Sequence, residues 1–328
     1  MADVARVAGV SLATVSRALR GLPGVGAATR ERVLAVAEEL AYVVSPAASS
    51  LSSKETGRVA VVMPRVDVWF YATTLSVLER ELRAGGVDVL VYQVDGPSER
   101  GRFVEQLPSR RKVDAVVLAA LPLSSDQQSR LGLLGVPTVI AGGRVLDLPH
   151  VETDDLAMAH AAVGHLADLG HRRIAMVRTS DTDDTSWDAD VLRVRGYRDE
   201  LASRGLPVED GLLVTEDYSP HAGALALRRL LALPDPPTAV FAYSDELAVS
   251  VALEAQRQGL AVPGDLSVMG VDGHPLNDVF GLSTVDQDVA TQAREAAAMT
   301  LRLMRGEPGP TAVVVPHRLV PRASTSAP

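Results

Sequence analysis

A helical pattern begins at Asp3-Val-Ala-Arg-Val-Ala-Gly-Val-Ser-Leu-Ala-Thr-Val-Ser-Arg-Ala-Leu-Arg-Gly21. Its apolar spacing predicts a short first helix that ends at Gly9, because glycine readily adopts the positive φ of a tight turn. Ser11 is placed to cap a second helix from Leu12 to Leu19, and Thr29 is placed to cap a third. Three short helices with a glycine turn between the first two predict a helix-turn-helix.

The second predicted helix has two chemically different faces. Its inward residues are Val15, Ala18 and Leu19, and its outward residues are Leu12, Ala13, Ser16, Arg17 and Arg20. The core residues predicted for the third helix are Val33, Leu34, Val36, Ala37 and Leu40. The stretch from Val4 to Arg30 contains four arginines and no acidic residue. A purely structural bundle is the alternative, but an acid-free arginine face favours contact with the phosphates of DNA.

Charge is distributed unevenly over the 328 residues, whose net charge is −9. Residues 1–56 hold six basic and five acidic side chains, so the remainder carries a net charge of −10. A small cationic module is therefore attached to an acidic body, which argues against a nucleic-acid platform over the whole surface. With 47% hydrophobic and 22% charged residues, the chain has the composition of a folded protein of two or three domains.

Several function classes are excluded by what the sequence lacks. The absence of cysteine excludes disulfides, cysteine-ligated zinc and thiol catalysis. The apolar runs are shorter than the roughly 20 residues of a membrane helix, so we expect a cytoplasmic protein without a membrane partner. His165 and His171 do not share a helix face, which favours packing or capping over a metal site. Without a phosphate loop, a nucleophile elbow or a dinucleotide glycine motif, we expect no cofactor and no enzyme.

Short β-type runs alternate with helical ones from Arg58 onward. Eight strands are predicted, at Val59–Pro64, Val87–Val94, Val113–Ala120, Thr138–Gly142, Ile174–Arg178, Leu212–Thr215, Ala239–Ser244 and Leu266–Asp272. Their continuous apolar character is typical of parallel sheets that are covered by helices on both faces. A division into two groups of four near residue 155 predicts two doubly wound α/β subdomains. Ser45–Thr56 is predicted to be a linker between the helical module and this body.

Charged and aromatic side chains follow several of the predicted strands. Asp67 and Phe70 follow the first strand, Arg144 the fourth, Asp245 the seventh, and Asp272 ends the eighth. Ligands of doubly wound sheets gather beyond the carboxyl ends of the strands. Carboxylates, a guanidinium group and a ring at that edge would suit a polyhydroxylated or heterocyclic small molecule.

The whole chain resembles a known family at the level of motifs. Asp3 to Gly21, Thr29-Arg-Glu-Arg-Val33 and Glu39-Leu-Ala-Tyr42 resemble the N-terminal signature of the lactose-repressor (LacI/GalR) family of bacterial transcription regulators. The body motifs that follow in the family's order are His165-Leu-Ala-Asp-Leu-Gly-His-Arg-Arg-Ile174, Arg193-Val-Arg-Gly-Tyr197, Ser244-Asp245, Gly259 to Pro263, Leu266-Ser-Val-Met-Gly-Val-Asp272 and Leu282-Ser-Thr-Val-Asp-Gln287.

This resemblance implies an all-α helix-turn-helix headpiece joined to an α/β periplasmic-binding-protein-like core of two doubly wound subdomains. The implied parts are a DNA-binding domain at residues 1–44, a hinge at 45–57 and an effector-binding and dimerisation core at 58–328. Within the core, the N-subdomain is expected to cover about 58–156 and 284–315. The C-subdomain is expected to cover about 157–283 and 316–328.

The resemblance also implies the DNA contacts, which we expect from Ser11, Leu12, Ala13, Thr14, Ser16, Arg17, Arg20 and Leu51. By position, Leu12, Ala13 and Arg17 face the bases, and an arginine that is bidentate to guanine contributes roughly 1–3 kcal/mol of discrimination. Leu51 stands where the family inserts a leucine into the minor groove. The hinge asparagine and arginine of relatives are replaced here by Ser45 and Ser49, so we expect weaker or differently spaced hinge contacts.

The effector contacts that we expect are Asp67, Phe70, Arg144, Trp187, Arg193, Asp245, Asp272 and Gln287. Arg193 and Asp272 fall on ligand positions of the family, and simple charge pairing is the alternative for both. For Asp245 a cap at a helix start is the close alternative to ligand contact, and for Trp187 packing in a loop or helix start is favoured over a stacking wall for the ligand. Relatives often have Asp-x-Ser-Asn-Pro-Phe-Phe where this chain has Arg65-Val-Asp-Val-Trp-Phe-Tyr71, so the chemistry of the site differs.

We therefore predict a sequence-specific transcriptional regulator, a repressor by default, that binds a palindromic double-stranded DNA operator as a homodimer or tetramer. A small-molecule effector, with a sugar as the expected class, is predicted to bind between the subdomains and to control operator affinity. The alternative is a sugar-binding module without gene control, which would not need residues 1–56.

Overall fold

The computed structural model describes the chain except for residues 20, 41, 43–55, 111–112, 122, 132–134, 146 and 181–187. The chain divides into two compact units, Met1–Gly57 and Arg58–Pro328. None of the helices in the described part has the length and apolar character needed to cross a bilayer.

The first unit contains three helices, α1 Ala2–Ala8, α2 Leu12–Leu19 and α3 Ala27–Glu39. Gly9 ends α1 with a φ of 64°, in the left-handed region that glycine adopts without strain. The helices pack around Val4, Val15 and Val33, each of which is fully buried. The helix-turn-helix prediction is confirmed.

Two details of the third helix differ from the prediction. Thr29 does not cap α3, because the helix begins at Ala27 with Gly26 at its N-cap; the N–H of Thr29 donates to the Gly26 carbonyl at 3.1 Å. Alanine is the strongest helix former, which accounts for the earlier start. Leu34 and Leu40 are 46% and 42% exposed and do not belong to the core, whose inward stripe on α3 is formed by residues 33 and 37.

The second unit consists of two lobes, each built on a six-stranded sheet. The strands of the first lobe are β1 Arg58–Met63, β2 Asp88–Gln93, β3 Ala115–Ala119, β4 Thr138–Ala141, β5 His150–Glu152 and β11 Ala312–Val314. Their order is β11-β5-β4-β3-β1-β2, and all neighbours are parallel. The helices of this lobe are α4 Trp69–Ala84, α5 Gly96–Arg110, α6 Ser125–Leu131 and α12 Val289–Met304.

The second lobe has the strands β6 Ile174–Ser180, β7 Leu213–Asp217, β8 Ala239–Ala242, β9 Ser267–Asp272, β10 Ser283–Asp286 and β12 Arg318–Val320. Their order is β12-β10-β9-β8-β6-β7, with only the β10–β12 pair antiparallel. The helices are α7 Asp155–Asp168, α8 Asp188–Ser203, α9 Ala222–Leu231, α10 Asp245–Arg257 and the single turn α11 Asn277–Phe280.

Both faces of the sheets are covered, which explains the continuous apolar runs. In β1, Val59, Val61 and Met63 belong to the core cluster on one face, whereas Ala60 and Val62 belong to the cluster on the other. The second lobe likewise has two core clusters. The predicted architecture of two doubly wound α/β sheets is confirmed, and all eight predicted strands are present.

The C-terminal part of the chain alternates between the lobes. Strand β10 pairs with β9, so residues 284–286 lie in the second lobe and not in the N-subdomain where we expected them. Helix α12 then packs into the first lobe through Ala293, Ala296 and Ala297. Strand β11 stays in that lobe, and β12 returns to the second one. The chain therefore passes between the lobes near 152–155, 286–289 and 314–318.

Candidate functional site

The outward face of α2 is exposed as its periodicity predicts. Val15 and Ala18 are buried, whereas Leu12 is 53% exposed and Ala13 and Arg17 are also exposed. Exposure of a large apolar side chain and an arginine gives this face both apolar and hydrogen-bonding capacity.

Serine caps α2 through its side chain. Ser11 Oγ accepts the N–H of Thr14 at 3.1 Å and lies 2.9 Å from Thr14 Oγ1. This pair fixes the start of α2 directly after the turn at Gly9. Two residues expected to contact DNA, Arg20 and Leu51, lie outside the described residues.

The second unit contains a cavity of about 420 Å³ between its lobes, at the carboxyl ends of the strands. The first lobe contributes Arg65, Asp67, Phe70, Tyr71, Ala120 and Gly142, among others. The second lobe contributes Asp190, Arg193, Tyr218, Tyr243, Glu246 and Asp272, among others. Cavities of this volume enclose small molecules.

Arg193 on α8 forms part of the cavity wall and is held from two sides. Its Nε donates to Asp155 Oδ1 at 2.7 Å, its Nη1 donates to the Tyr243 carbonyl at 2.8 Å, and the guanidinium carbon lies 4.4 Å from the centre of the Tyr243 ring. Burial is the largest single influence and disfavours the charge of Arg193, but Asp155, Tyr243 and Asp272 together outweigh it and raise the pKa. Nη2 has no hydrogen-bond partner among the described residues, so it is available to a ligand.

Asp272 supplies a buried acceptor at the end of β9. Its Oδ1 accepts from Gln287 Nε2 at 2.6 Å, and Gln287 is held in turn by Gln292 Nε2, which donates to its carbonyl at 2.6 Å. Burial and the neighbouring Asp245 carboxylate raise the pKa of Asp272. Its φ of 130° lies in a region that non-glycine residues rarely adopt, a kind of strain that clusters at ligand sites.

Asp245 does not line the cavity. Its Oδ2 accepts the N–H groups of Gly273 and His274, both at 2.8 Å, and Asn277 Nδ2 at 2.6 Å. Burial raises the pKa of Asp245 to about 6. Asp245 is not the helix cap either, because Ser244 Oγ accepts the N–H of Leu247 at 3.3 Å and caps α10. Asp245 fixes the backbone that follows Asp272.

Side chains from the two lobes meet at the edge of the cavity. The guanidinium carbon of Arg65 lies 4.0 Å from the centre of the Tyr218 ring. The backbone N–H of Trp69 donates to Glu246 Oε1 at 3.3 Å, and its indole lies 4.9 Å from the His274 ring. The lobes are therefore joined by direct contacts beside the cavity.

Two family models match the sequence. The model for bacterial regulatory proteins of the lacI family matches residues 1–45, and the model for the periplasmic binding protein-like domain matches residues 163–325. Catabolite control protein A of Priestia megaterium is 31% identical over 328 aligned residues, which cover 98% of each chain. The chain belongs to the LacI family of bacterial regulatory proteins.

Other LacI-family relatives align over nearly the full length. The HTH-type transcriptional repressor CytR of Escherichia coli strain K12 is 32% identical, with 100% of this chain and 96% of CytR covered. The solved complex of the transcriptional regulator CelR with cellobiose has a TM-score of 0.73 at 29% identity and covers 98% of both chains. The Lac repressor dimer bound to operator and the anti-inducer ONPF has the same fold, with a TM-score of 0.88 at 24% identity and 99% and 98% covered. This LacI-family protein is a DNA-binding transcriptional regulator.

The cavity of this LacI-family regulator brings together five of the eight residues expected to contact an effector. These are Asp67, Phe70, Arg193, Asp272 and Gln287. Arg144 is exposed and does not line the cavity, and Trp187 lies outside the described residues.

Sequence reasoning missed Asp155, Tyr218 and Tyr243, which all line the cavity. Tyr218 directly follows β7 and Tyr243 directly follows β8, so the rule that selected the other residues could have found both. Asp155 begins the helix after β5, a three-residue strand that was not predicted.

Proposed function

We propose that this LacI-family regulator is a repressor that binds a palindromic operator as a homodimer and acts in the cytoplasm. The residues that contact DNA in this proposal are Ser11, Leu12, Ala13, Thr14, Ser16, Arg17, Arg20 and Leu51. The exposed face of α2, which includes Leu12 and Arg17, is the observation that carries it. An exposed arginine on a recognition helix reads guanine by a bidentate contact.

A small polyhydroxylated molecule, of which a carbohydrate is the first candidate, controls operator affinity in this proposal. Asp67, Phe70, Arg193, Asp272 and Gln287 contact it in the cavity. A ligand that contacts both lobes can favour one arrangement of the lobes over another. The shift between the two arrangements is set by the difference between the ligand's affinities for them. The cellobiose in the CelR complex supports a sugar as the effector class.

An apolar groove on the second lobe supports a homodimer. Val249, Leu253, Phe280 and Leu282 line it, and Phe280 is 54% exposed, with the neighbouring Val279 at 76%. Large apolar side chains that cluster on a surface mark an interaction site. A two-fold symmetric pair would bury the same patch on both copies and match a palindrome.

Selection of bound sequences from a random duplex library tests the DNA contact. Arg17→Ala should reduce discrimination at one base pair of each half-site by about 1–3 kcal/mol. Arg83→Ala, which removes a 70% exposed arginine from the first lobe, should leave the selected sequence unchanged. An unchanged preference in Arg17→Ala would show that α2 does not read the bases.

Sedimentation of Phe280→Glu tests the dimer. The variant should be monomeric and should bind the selected operator more weakly, because a buried carboxylate opposes the interface. Val208→Glu, at a valine that is 45% exposed elsewhere, is the matched control and should remain dimeric.

A further inference from the structure

The side chains around the cavity carry more negative than positive charge. Its lining includes the carboxylates Asp67, Asp155, Asp190 and Glu246 and the guanidinium groups Arg65 and Arg193. Asp272 also lines the cavity, but its raised pKa favours the uncharged acid, so it is not counted among the negative charges. No histidine of the described part of the chain is among the lining residues. The charge of Arg193 is already matched by Asp155 at 2.7 Å. An anion that enters the cavity would therefore meet a net negative charge.

The N-termini of three helices beside the cavity, α4, α7 and α10, do not compensate for this negative charge. Helix N-termini are the usual phosphate sites of doubly wound proteins, because their free N–H groups and the helix dipole attract anions. Here Asp154 Oδ1 caps α7 by accepting the N–H of Ala157 at 2.9 Å. Glu246 Oε1 accepts the N–H of Trp69 at the start of α4, and Ser244 caps α10. The protein's own oxygens occupy positions at which a phosphate would bind.

The deep wall of the cavity, in contrast, offers donors and acceptors side by side. Arg193 is 4% exposed and has Nη2 without a hydrogen-bond partner, and Asp272 is 6% exposed and uses only Oδ1. A hydroxyl group both donates and accepts, so neighbouring hydroxyls on a ring match such a wall. Phe70 and Tyr218 add aromatic surface for the apolar side of the ring.

We infer that the cavity selects an uncharged polyhydroxylated ligand and discriminates against the phosphorylated or carboxylated form of the same compound. The inference rests on the proposed function, since the ligand is the effector. It adds a chemical restriction that follows from the carboxylates at the opening and the occupied helix N-termini.

Fluorescence quenching tests the charge at the opening without any ligand. The chain has two tryptophans, so Trp187→Phe leaves Trp69 as the reporter beside Glu246. At low ionic strength, caesium should quench Trp69 at least about threefold more than iodide, after both are normalised to a free tryptophan amide. Neutral acrylamide reports the accessibility of the ring, and added salt should reduce the difference.

Charge variants make the quenching result specific. Glu246→Gln and Asp67→Asn should each lower the ratio of caesium to iodide quenching. Glu79→Gln, which removes a carboxylate farther along α4 that pairs with Arg83 at 3.3 Å, should leave the ratio unchanged. Iodide quenching equal to that of caesium would overturn the inference.

Calorimetry with matched pairs tests the ligand class. The pairs are glucose and glucose 6-phosphate, ribose and ribose 5-phosphate, and cellobiose and its oxidised acid, cellobionate. For any pair that binds, the charged member should bind at least about tenfold more weakly, and equal or tighter binding of that member would overturn the inference. If no pair binds, the quenching ratio decides alone. Failure of the proposed function would instead appear as operator selection that is insensitive to Arg17→Ala.

Discussion

Trp69 of the first lobe and His274 of the second lobe lie with their ring centroids 4.9 Å apart and their planes inclined by 48°. This contact joins the lobes beside the opening of the cavity. It is one of the direct contacts between the two lobes.

A double-mutant cycle of Trp69→Ala and His274→Ala should show a coupling energy of about 0.5–1.5 kcal/mol, the range for aromatic pairs. Urea unfolding of the four proteins measures it. Tyr92 and Phe103, whose centroids are 5.1 Å apart within the first lobe, provide a reference pair. X-ray scattering should show a larger radius of gyration for Trp69→Ala, but not for Tyr92→Ala. Additive effects of the two substitutions would show that this pair does not contribute to holding the lobes together.

Gly142 makes room for the Phe70 ring. A Cβ added at Gly142 would lie 2.8 Å from Phe70 Cζ, and the φ of this glycine is 78°. Gly142→Ala should therefore cost about 1–3 kcal/mol of stability and displace Phe70 from the cavity. Gly86→Ala has the same backbone strain at a φ of 81°, but with nothing within 4 Å of the new Cβ. Thermal unfolding should show similar losses for both variants, whereas effector titration should weaken only in Gly142→Ala.

Substitutions in the buried pair of Arg193 and Asp155 distinguish an effect on stability from an effect on ligand binding. Their side chains are 5% and 10% exposed. Arg193→Met should destabilise the protein by about 3–5 kcal/mol, because it leaves Asp155 as an uncompensated buried charge. Adding Asp155→Leu should restore most of that loss in urea unfolding. Effector affinity should not return in the double variant. If it did, Arg193 would have no direct role in binding.

His171 links the C-terminal segment to the second lobe in a pH-dependent way. Its Nε2 donates to the Ser326 carbonyl at 2.9 Å, and its Nδ1 lies 2.8 Å from Thr238 Oγ1. Burial lowers the pKa of His171 below 6.5, against the opposing effect of the Ser326 carbonyl. The unfolded chain therefore binds a proton more readily than the folded one, so this group's contribution to stability is present above pH 6.5 and is lost at lower pH.

The free energy of unfolding should fall more steeply between pH 7 and pH 5 in the wild type than in His171→Gln. Urea titrations at several pH values measure the free energy of unfolding of each protein. Subtracting one curve from the other cancels the contribution of the carboxylates that both proteins share. His221→Gln, at an exposed histidine, should have the slope of the wild type. Parallel curves for wild type and His171→Gln would show that His171 does not couple protonation to folding.

The sequence predicts the fold well where burial is two-sided. Val61 pairs with Val91 of β2 and Val117 of β3, and such central strands are long enough to read as apolar runs. Strands β5, β11 and β12 were missed because they have only three residues, and β10 was missed because three of its four residues are polar. In β11 and β12 the burial pattern also has no fully buried position. Their places in the sheets depend on pairing with distant segments, which local patterns do not encode.

Only some of the cavity residues could be predicted from the sequence, again because local patterns do not encode every contact. Asp272 ends a strand, Asp67 follows one, and both line the cavity. Asp245 also follows a strand, but its carboxylate accepts the backbone N–H groups of Gly273 and His274. The spacing places a residue at the carboxyl edge of a sheet without fixing the direction of its side chain. Local hydrogen bonding decides between a cavity wall and a backbone support.

The return of α12 and β11 to the first lobe has a consequence for biosynthesis. This lobe lacks one covering helix and one edge strand until residue 314 has left the ribosome. The incomplete sheet of the first lobe is therefore exposed to aggregation while nearly all of the second lobe is translated. The need for chaperones during translation should therefore depend on how soon residues 289–314 emerge from the ribosome, and not on the length of the first lobe alone.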